Sequence, residues 1–267
     1  MNRDGTVNGF SFSRVALLVR NKAYEDAPAI LIGLAILIGN DLLSLVFSRV
    51  AVTNDGRGLY YIIAITGGGL LLSALAFKRM HGRSSADWIL LPASPLEKYA
   101  AAFISYIVIF PIAAAIGLSG VSVSLSLLER LAGGTGGRIW HPFTVATLRL
   151  YGEYAAVAVA FLAGSATFRK RAFLKTVGVS IAYVLTCSLL VMLGLRIIYG
   201  LRFGDPFSVK FDSGALTIGG AYVPNADAVQ KAFEYLVRGV RLALVPAFSV
   251  AFGYLRILEK EARDEVQ

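Results

Sequence analysis

Asp41, with Asn40 beside it, and the pair Arg149 and Glu153 are polar groups set inside stretches that are otherwise aliphatic and aromatic. Arg149 and Glu153 stand four residues apart, one turn along a single helix face. At 1.5 Å per residue, Asp41 and Glu153 lie about 5 Å from the centres of their stretches. A cluster of Asp41, Arg149 and Glu153 is therefore within geometric reach. Two acids and a base so placed either fix helix packing as a salt bridge or mark a polar point on a substrate or ion path. Both readings stay open at this stage.

Other chemistry is poorly represented. His81 and His141 are isolated, and the single cysteine, Cys187, sits in an apolar run, so neither a disulfide within the chain nor a Cys-based metal site is available. There is no Ser-His-Asp, Cys-His or paired-carboxylate arrangement. "GGTGG" at 133–137 lacks the lysine of a phosphate-binding loop and is not flanked by a strand and a helix. No ATP site, metal or other cofactor is expected in this chain, and enzymatic activity of its own is not expected.

The elements that must carry the four polar residues follow from composition. Of 267 residues, 56% are hydrophobic and only 16% charged. A soluble domain carries about 25% charged residues. A hydrocarbon core of about 30 Å needs roughly 20 apolar residues in helix. Six stretches qualify: 27–48, 59–77, 99–127, 145–168, 176–195 and 242–258. Six such runs are hard to bury in one soluble domain of this size. The expectation is a single, all-α, polytopic membrane domain of six spans. Pro111 and Pro246 are expected to kink spans three and six. The first apolar run begins near Ala27 and is too long for a signal-peptide core, so no cleavable signal is expected.

The net charge is +9. The bases cluster beside apolar spans, which reads as a topology signal and not as a nucleic-acid surface. With the N-terminus inside, segments 1–26, 78–98, 169–175 and 256–267 hold 15 Lys and Arg, against 10 in the outside segments 49–58, 128–144 and 196–241. The excess places both termini in the cytoplasm, and "RKR" at 169–171 is the firmest anchor. Residues 10–22, "FSFSRVALLVRNK", read as an interfacial helix, with Phe10, Val15, Leu17 and Leu18 toward lipid and Arg14, Arg20 and Lys22 toward head groups. In 196–241, "FSVKF" and "ALTI" flank "DSG" as a small outside hairpin with Gly214 at the turn, and a helix is expected from about Asn225.

The inside loop 78–98 contains "SSADWILLPASPLEK". Ser84 or Ser85 caps a short helix, and Asp87 favours its N-terminal end. Trp88, Ile89, Leu90 and Leu91 follow, and Pro92 stops it. Ser94, Pro95 and Glu97 then form a capping box that starts span three. Trp88 and Leu91 are expected on one exposed apolar face. That face either lies on lipid or docks in a groove on a cytoplasmic partner.

A leading interfacial helix, six spans with both ends inside, and a short helix between spans two and three resemble the membrane subunit of ABC-2-type ABC transporters. "LLPASPLEKY" before span three and the ending "YLRILEKEAR" are similar to ABC-2-like permeases of bacteria. The resemblance implies a multi-pass protein of the bacterial cytoplasmic (inner) membrane. It implies that 84–92 is a coupling helix for a separate ATP-binding subunit, which would hold ATP and Mg. It also implies a second copy or paralogue of the permease alongside. The rival reading is a non-transport scaffold or assembly subunit that uses the same short helix to hold its partner.

Overall fold

The structure is a computed structural model that describes residues 10–47, 54–81, 88, 91–131, 139–203, 209–212, 215–218, 221–222, 235 and 237–264. The main helices are α1 (Phe12–Phe47), α2 (Asn54–Leu75), α3 (Pro95–Leu131), α4 (Val145–Thr167), α5 (Ala172–Phe203) and α6 (Val245–Asp264). Six helical runs are long and apolar enough to cross a membrane: Phe12–Leu43, Gly58–His81, Pro95–Leu131, Val145–Thr167, Ala172–Leu190 and Val237–Ala262. Each of the six stretches read from the sequence overlaps one of them. The chain is a helical, multi-pass membrane protein.

Two compact units can be separated, Met1–Phe173 with Pro246–Gln267, and Leu174–Val245. In the second, strands β1 (Val209–Asp212), β2 (Ala215–Ile218) and β3 (Ala221–Tyr222) form an antiparallel sheet in the order β1-β2-β3, with Asp212 opposite Ala215. Gly214 lies outside the described residues, as does most of the helix expected from Asn225.

The first unit departs from the sequence reading at its start. No separate interfacial helix covers 10–22. Instead α1 runs unbroken for 36 residues with Pro28 inside it. Nothing between Lys22 and Pro28 stops a helix: "AYEDA" is rich in good helix formers. Asn21 also donates to Glu25 one turn on, at 3.0 Å. At 1.5 Å per residue α1 is about 54 Å long, well beyond a 30 Å hydrocarbon core. Its start therefore projects from the membrane or tilts along it. The expected head-group contacts change accordingly. Val15 is buried, Arg14 and Lys22 turn into the protein, and Arg20 remains exposed.

Both prolines expected to kink a span stand two residues beyond the end of a π-helical turn. These turns are Ile104–Ile109 before Pro111 and Val240–Leu244 before Pro246. The amide of Phe110 bonds Ser105 O, and that of Val245 bonds Val240 O, each five residues back. Proline has no N–H, so one carbonyl a turn earlier must lose its donor. The π register around Pro111 moves that orphan to Tyr106. There the Tyr154 hydroxyl of α4 donates to Tyr106 O at 2.6 Å. The Tyr106 hydroxyl in turn donates to Asp26 of α1 at 2.7 Å. A missing backbone donor thus becomes a joint between three helices.

Close approaches complete the packing. A Cβ on Gly69 of α2 would overlap the Tyr154 hydroxyl, and one on Gly253 of α6 would lie 3.0 Å from the Tyr99 ring and 3.2 Å from Ala163 Cα. Lipid tails are as apolar as leucine, so such contacts and hydrogen bonds carry helix association. Ile30, Leu31, Ile32 and Ile36 of α1 stay exposed, as side chains facing lipid do.

Tyr154→Phe should lower the unfolding free energy of the detergent-solubilised protein by about 1–2 kcal/mol, the cost of an unsatisfied buried carbonyl. Adding Pro111→Ala restores an N–H near that carbonyl, so the same Tyr154→Phe change should then cost under about 0.5 kcal/mol. Equal costs in both backgrounds would contradict the joint.

Candidate functional site

The start of α3 gathers the charges at one end of the first unit. The capping box read from "SPLEK" is present. Ser94 Oγ accepts from the Glu97 amide at 3.3 Å, and Glu97 Oε2 accepts from the Ser94 amide at 2.8 Å. The sequence shows this because the two residues are three apart. It does not show the other half of the arrangement. Glu97 Oε1 accepts from the Ser11 amide at 2.6 Å, from Arg14 Nη2 at 2.8 Å and from Arg14 Nε at 3.1 Å. The carboxylate is fully buried, while Arg14 keeps 30% of its side-chain surface exposed. One buried acid therefore ties the first turn of α1 to the first turn of α3.

The next residue makes a second tie. Lys98 Nζ bonds Glu261 Oε1 of α6 at 2.9 Å, with the side chains 4% and 14% exposed. A buried ammonium is costly unless paired. Lys98 also lies 4.3 Å over the Trp88 ring. Trp88 meets Phe77 edge-on at a centroid distance of 6.5 Å, and Phe77 stacks on Tyr99 at 6.1 Å. Met80, Leu162 and Ile257 belong to the same buried cluster.

This places the loop residues singled out from sequence. Trp88 is only 7% exposed and Leu91 packs against the same cluster, while Pro92 is exposed. The exposed apolar face expected of Trp88 and Leu91 is corrected: both close the end of the bundle. The physical reason is the Lys98 ammonium and the Phe77 edge, which give an indole a better site than lipid or water. Ser84, Ser85, Asp87, Ile89 and Leu90 lie outside the described residues.

Three further contacts join the ends of α1, α2 and α4. Lys22 Nζ donates to Ala76 O at 2.9 Å and sits 5.8 and 5.3 Å over the Phe77 and Tyr106 rings. His81 Nε2 donates to Ser165 O at 3.2 Å. Arg79 pairs with Glu25 at 2.6 Å. The result is a node in which α1, α2, α3, α4 and α6 meet through fixed polar contacts.

The intramembrane residues differ in burial. Asp41 is buried and accepts from the Tyr61 hydroxyl at 2.7 Å. Asn40 and Arg149 are exposed, and Glu153 is half-buried. Tyr61 is itself fully buried and meets Trp140 edge-on at 5.3 Å, where the Trp140 amide donates to Ser122 Oγ at 3.0 Å. Tyr61, Trp140 and Ser122 carry no sequence signal beyond being aromatic or small. The Tyr61 hydroxyl and the buried Asp41 carboxylate join α2 to α1. Among the described residues no group of three or more His, Cys, Asp or Glu is placed to hold a metal.

No family model, no curated protein and no solved structure matches the chain.

Glu97→Gln keeps the shape of the node and removes its charge. It should cost about 1.5–3 kcal/mol of stability, the range for a hydrogen bond to a charged group. Arg14→Met should cost less, because Arg14 is partly hydrated. A double-mutant cycle should give a coupling of at least about 1 kcal/mol. Additive effects would show that the pair contributes nothing as a pair.

Proposed function

We propose that the chain is the membrane-spanning permease subunit of an ABC-2-type ABC transporter, an exporter of the bacterial cytoplasmic membrane. In this reading ATP and Mg are bound on a separate subunit, and a second copy or paralogue completes the permease. Both termini are cytoplasmic, as the bias of Lys and Arg indicates. The chain itself does no chemistry on nucleotide.

The observation that carries the reading is the attachment of the loop between α2 and α3. Trp88 and Leu91 are seated in the cluster shared by α2, α3, α4 and α6. Two residues at the start of α3 reach α1 and α6 through Glu97–Arg14 and Lys98–Glu261. A push on this loop is therefore delivered to several helices at once and not absorbed locally. A coupling segment needs that property for nucleotide-dependent closure of a partner to change the access of the membrane path. Docking then falls to residues of 84–92 other than Trp88 and Leu91, since those two pack inward. A rigid node also suits a scaffold subunit, which would hold its partner without transmitting motion.

The two readings separate on purification of the intact protein in mild detergent. The transporter reading expects a co-purifying protein with a phosphate-binding loop and measurable ATP hydrolysis. Asp87→Arg should reduce its recovery at least tenfold with the permease still folded. Lys98→Ala should leave recovery intact while lowering the hydrolysis rate, because the partner docks but is no longer coupled. Wild-type protein free of any ATP-hydrolysing partner would overturn the proposal in favour of the scaffold.

A further inference from the structure

The connection from α4 to α5 is four residues, Phe168, Arg169, Lys170 and Arg171. Phe168 closes α4 by donating its amide to Gly164 O at 2.9 Å. Arg169, Lys170 and Arg171 are all exposed. Among the described residues, four acids at this end of the first unit are engaged elsewhere: Glu25 with Arg79, Glu97 with Arg14, Glu261 with Lys98, Glu259 with Arg256. Asp26 accepts from Tyr106. No acid pairs with the three loop bases among the described residues. Three adjacent positive charges thus stand in a short, well-anchored loop without compensation from the described residues.

Arg171 adds a second observation. Its φ is 53°, the one left-handed non-glycine residue among those described. Glycine would adopt that conformation without the roughly 1–2 kcal/mol that an L side chain costs there. The loop therefore keeps a cationic side chain where the backbone alone would favour none. Both flanking helices are apolar runs long enough to span, so so short a loop holds its charges at the level where lipid phosphates lie. Arg guanidinium forks match phosphate oxygens two at a time.

We propose that the 169–171 loop binds the phosphate head groups of anionic phospholipids. The inference rests on the membrane reading alone and holds whether the chain serves a transporter or a scaffold. Lipid is favoured over a soluble anion because the loop's position brings it to a surface already dense in phosphate. Each base near an anionic membrane surface contributes about fivefold in affinity, so three contribute about a hundredfold.

The test is native mass spectrometry of the full chain in neutral detergent, titrated with phosphatidylglycerol or phosphatidylcholine. Wild type should retain phosphatidylglycerol in preference, and the preference should weaken as ammonium acetate is raised. R169Q/K170Q/R171Q should lose about a hundredfold of the affinity for phosphatidylglycerol with phosphatidylcholine unchanged. Arg171→Gly should raise the unfolding midpoint by relieving the backbone, yet weaken phosphatidylglycerol binding about fivefold. A purely structural role for Arg171 would move the two readouts together. If the triple variant does not fold, Lys170→Gln alone should lose about fivefold. The proposal is overturned by equal retention of the two lipids in wild type, or by variants that keep the preference. It is also overturned if inorganic phosphate or polyglutamate displaces the lipid at equal charge concentration, which would indicate a soluble anion or an acidic protein surface.

Discussion

A carboxylate taken fully out of water has to be satisfied by the protein around it, and Glu97 sets this condition at the start of α3. An unpaired charge in such a place costs several kcal/mol. Its four hydrogen bonds come from Ser94 in its own cap and from Ser11 and Arg14 in α1. The first turn of α1 is therefore held where it can donate, and the start of α3 where it can accept. Lys98, one residue on, obeys the same rule with Glu261. Two consecutive buried charges of opposite sign thus attach α3 to α1 and to α6. Trp88, in the loop leading into α3, fits beneath the Lys98 ammonium because that position is fixed.

The joint further along α3 follows the same logic with a neutral group. Within a membrane, burying leucine against leucine instead of lipid gains little. Orphaned backbone groups and close glycine contacts therefore decide which helices meet. Pro111 removes a donor, the π register presents the resulting free carbonyl at Tyr106, and Tyr154 supplies the hydrogen. Gly69 leaves the room that the Tyr154 hydroxyl needs. The sequence cost of this joint is one proline, one glycine and one tyrosine on three different helices.

How much of this was legible in advance depends on sequence separation. Spans are legible because roughly 20 apolar residues in a row have few soluble explanations. The Ser94–Glu97 box is legible because its partners are three apart. Arg14 and Glu97 are 83 residues apart, and Lys98 and Glu261 are 163 apart, so nothing local marks either pair. The basic residues of 10–22 read as head-group contacts because acceptors inside the protein leave no trace nearby. Trp88 in a polar loop was equally ambiguous: an indole there faces outward to a partner or inward to a core, and only Lys98, Phe77 and Tyr99 assembled in space make inward the answer. Proline signalled a break in spans three and six, but the register change that accommodates each break depends on where a donor waits across the helix interface.

The central claim is that the buried Glu97 carboxylate holds the start of α1 against α3. Hydrogen exchange of the peptide containing Ser11 tests it most directly, since that amide donates to Glu97 at 2.6 Å. Glu97→Ala should make the amides of this first turn exchange at least about tenfold faster, while the amides of α4 stay as slow as before. Ser94→Ala, which removes the cap but leaves the acid, should leave the first turn of α1 protected. Unchanged exchange there in Glu97→Ala would contradict the account.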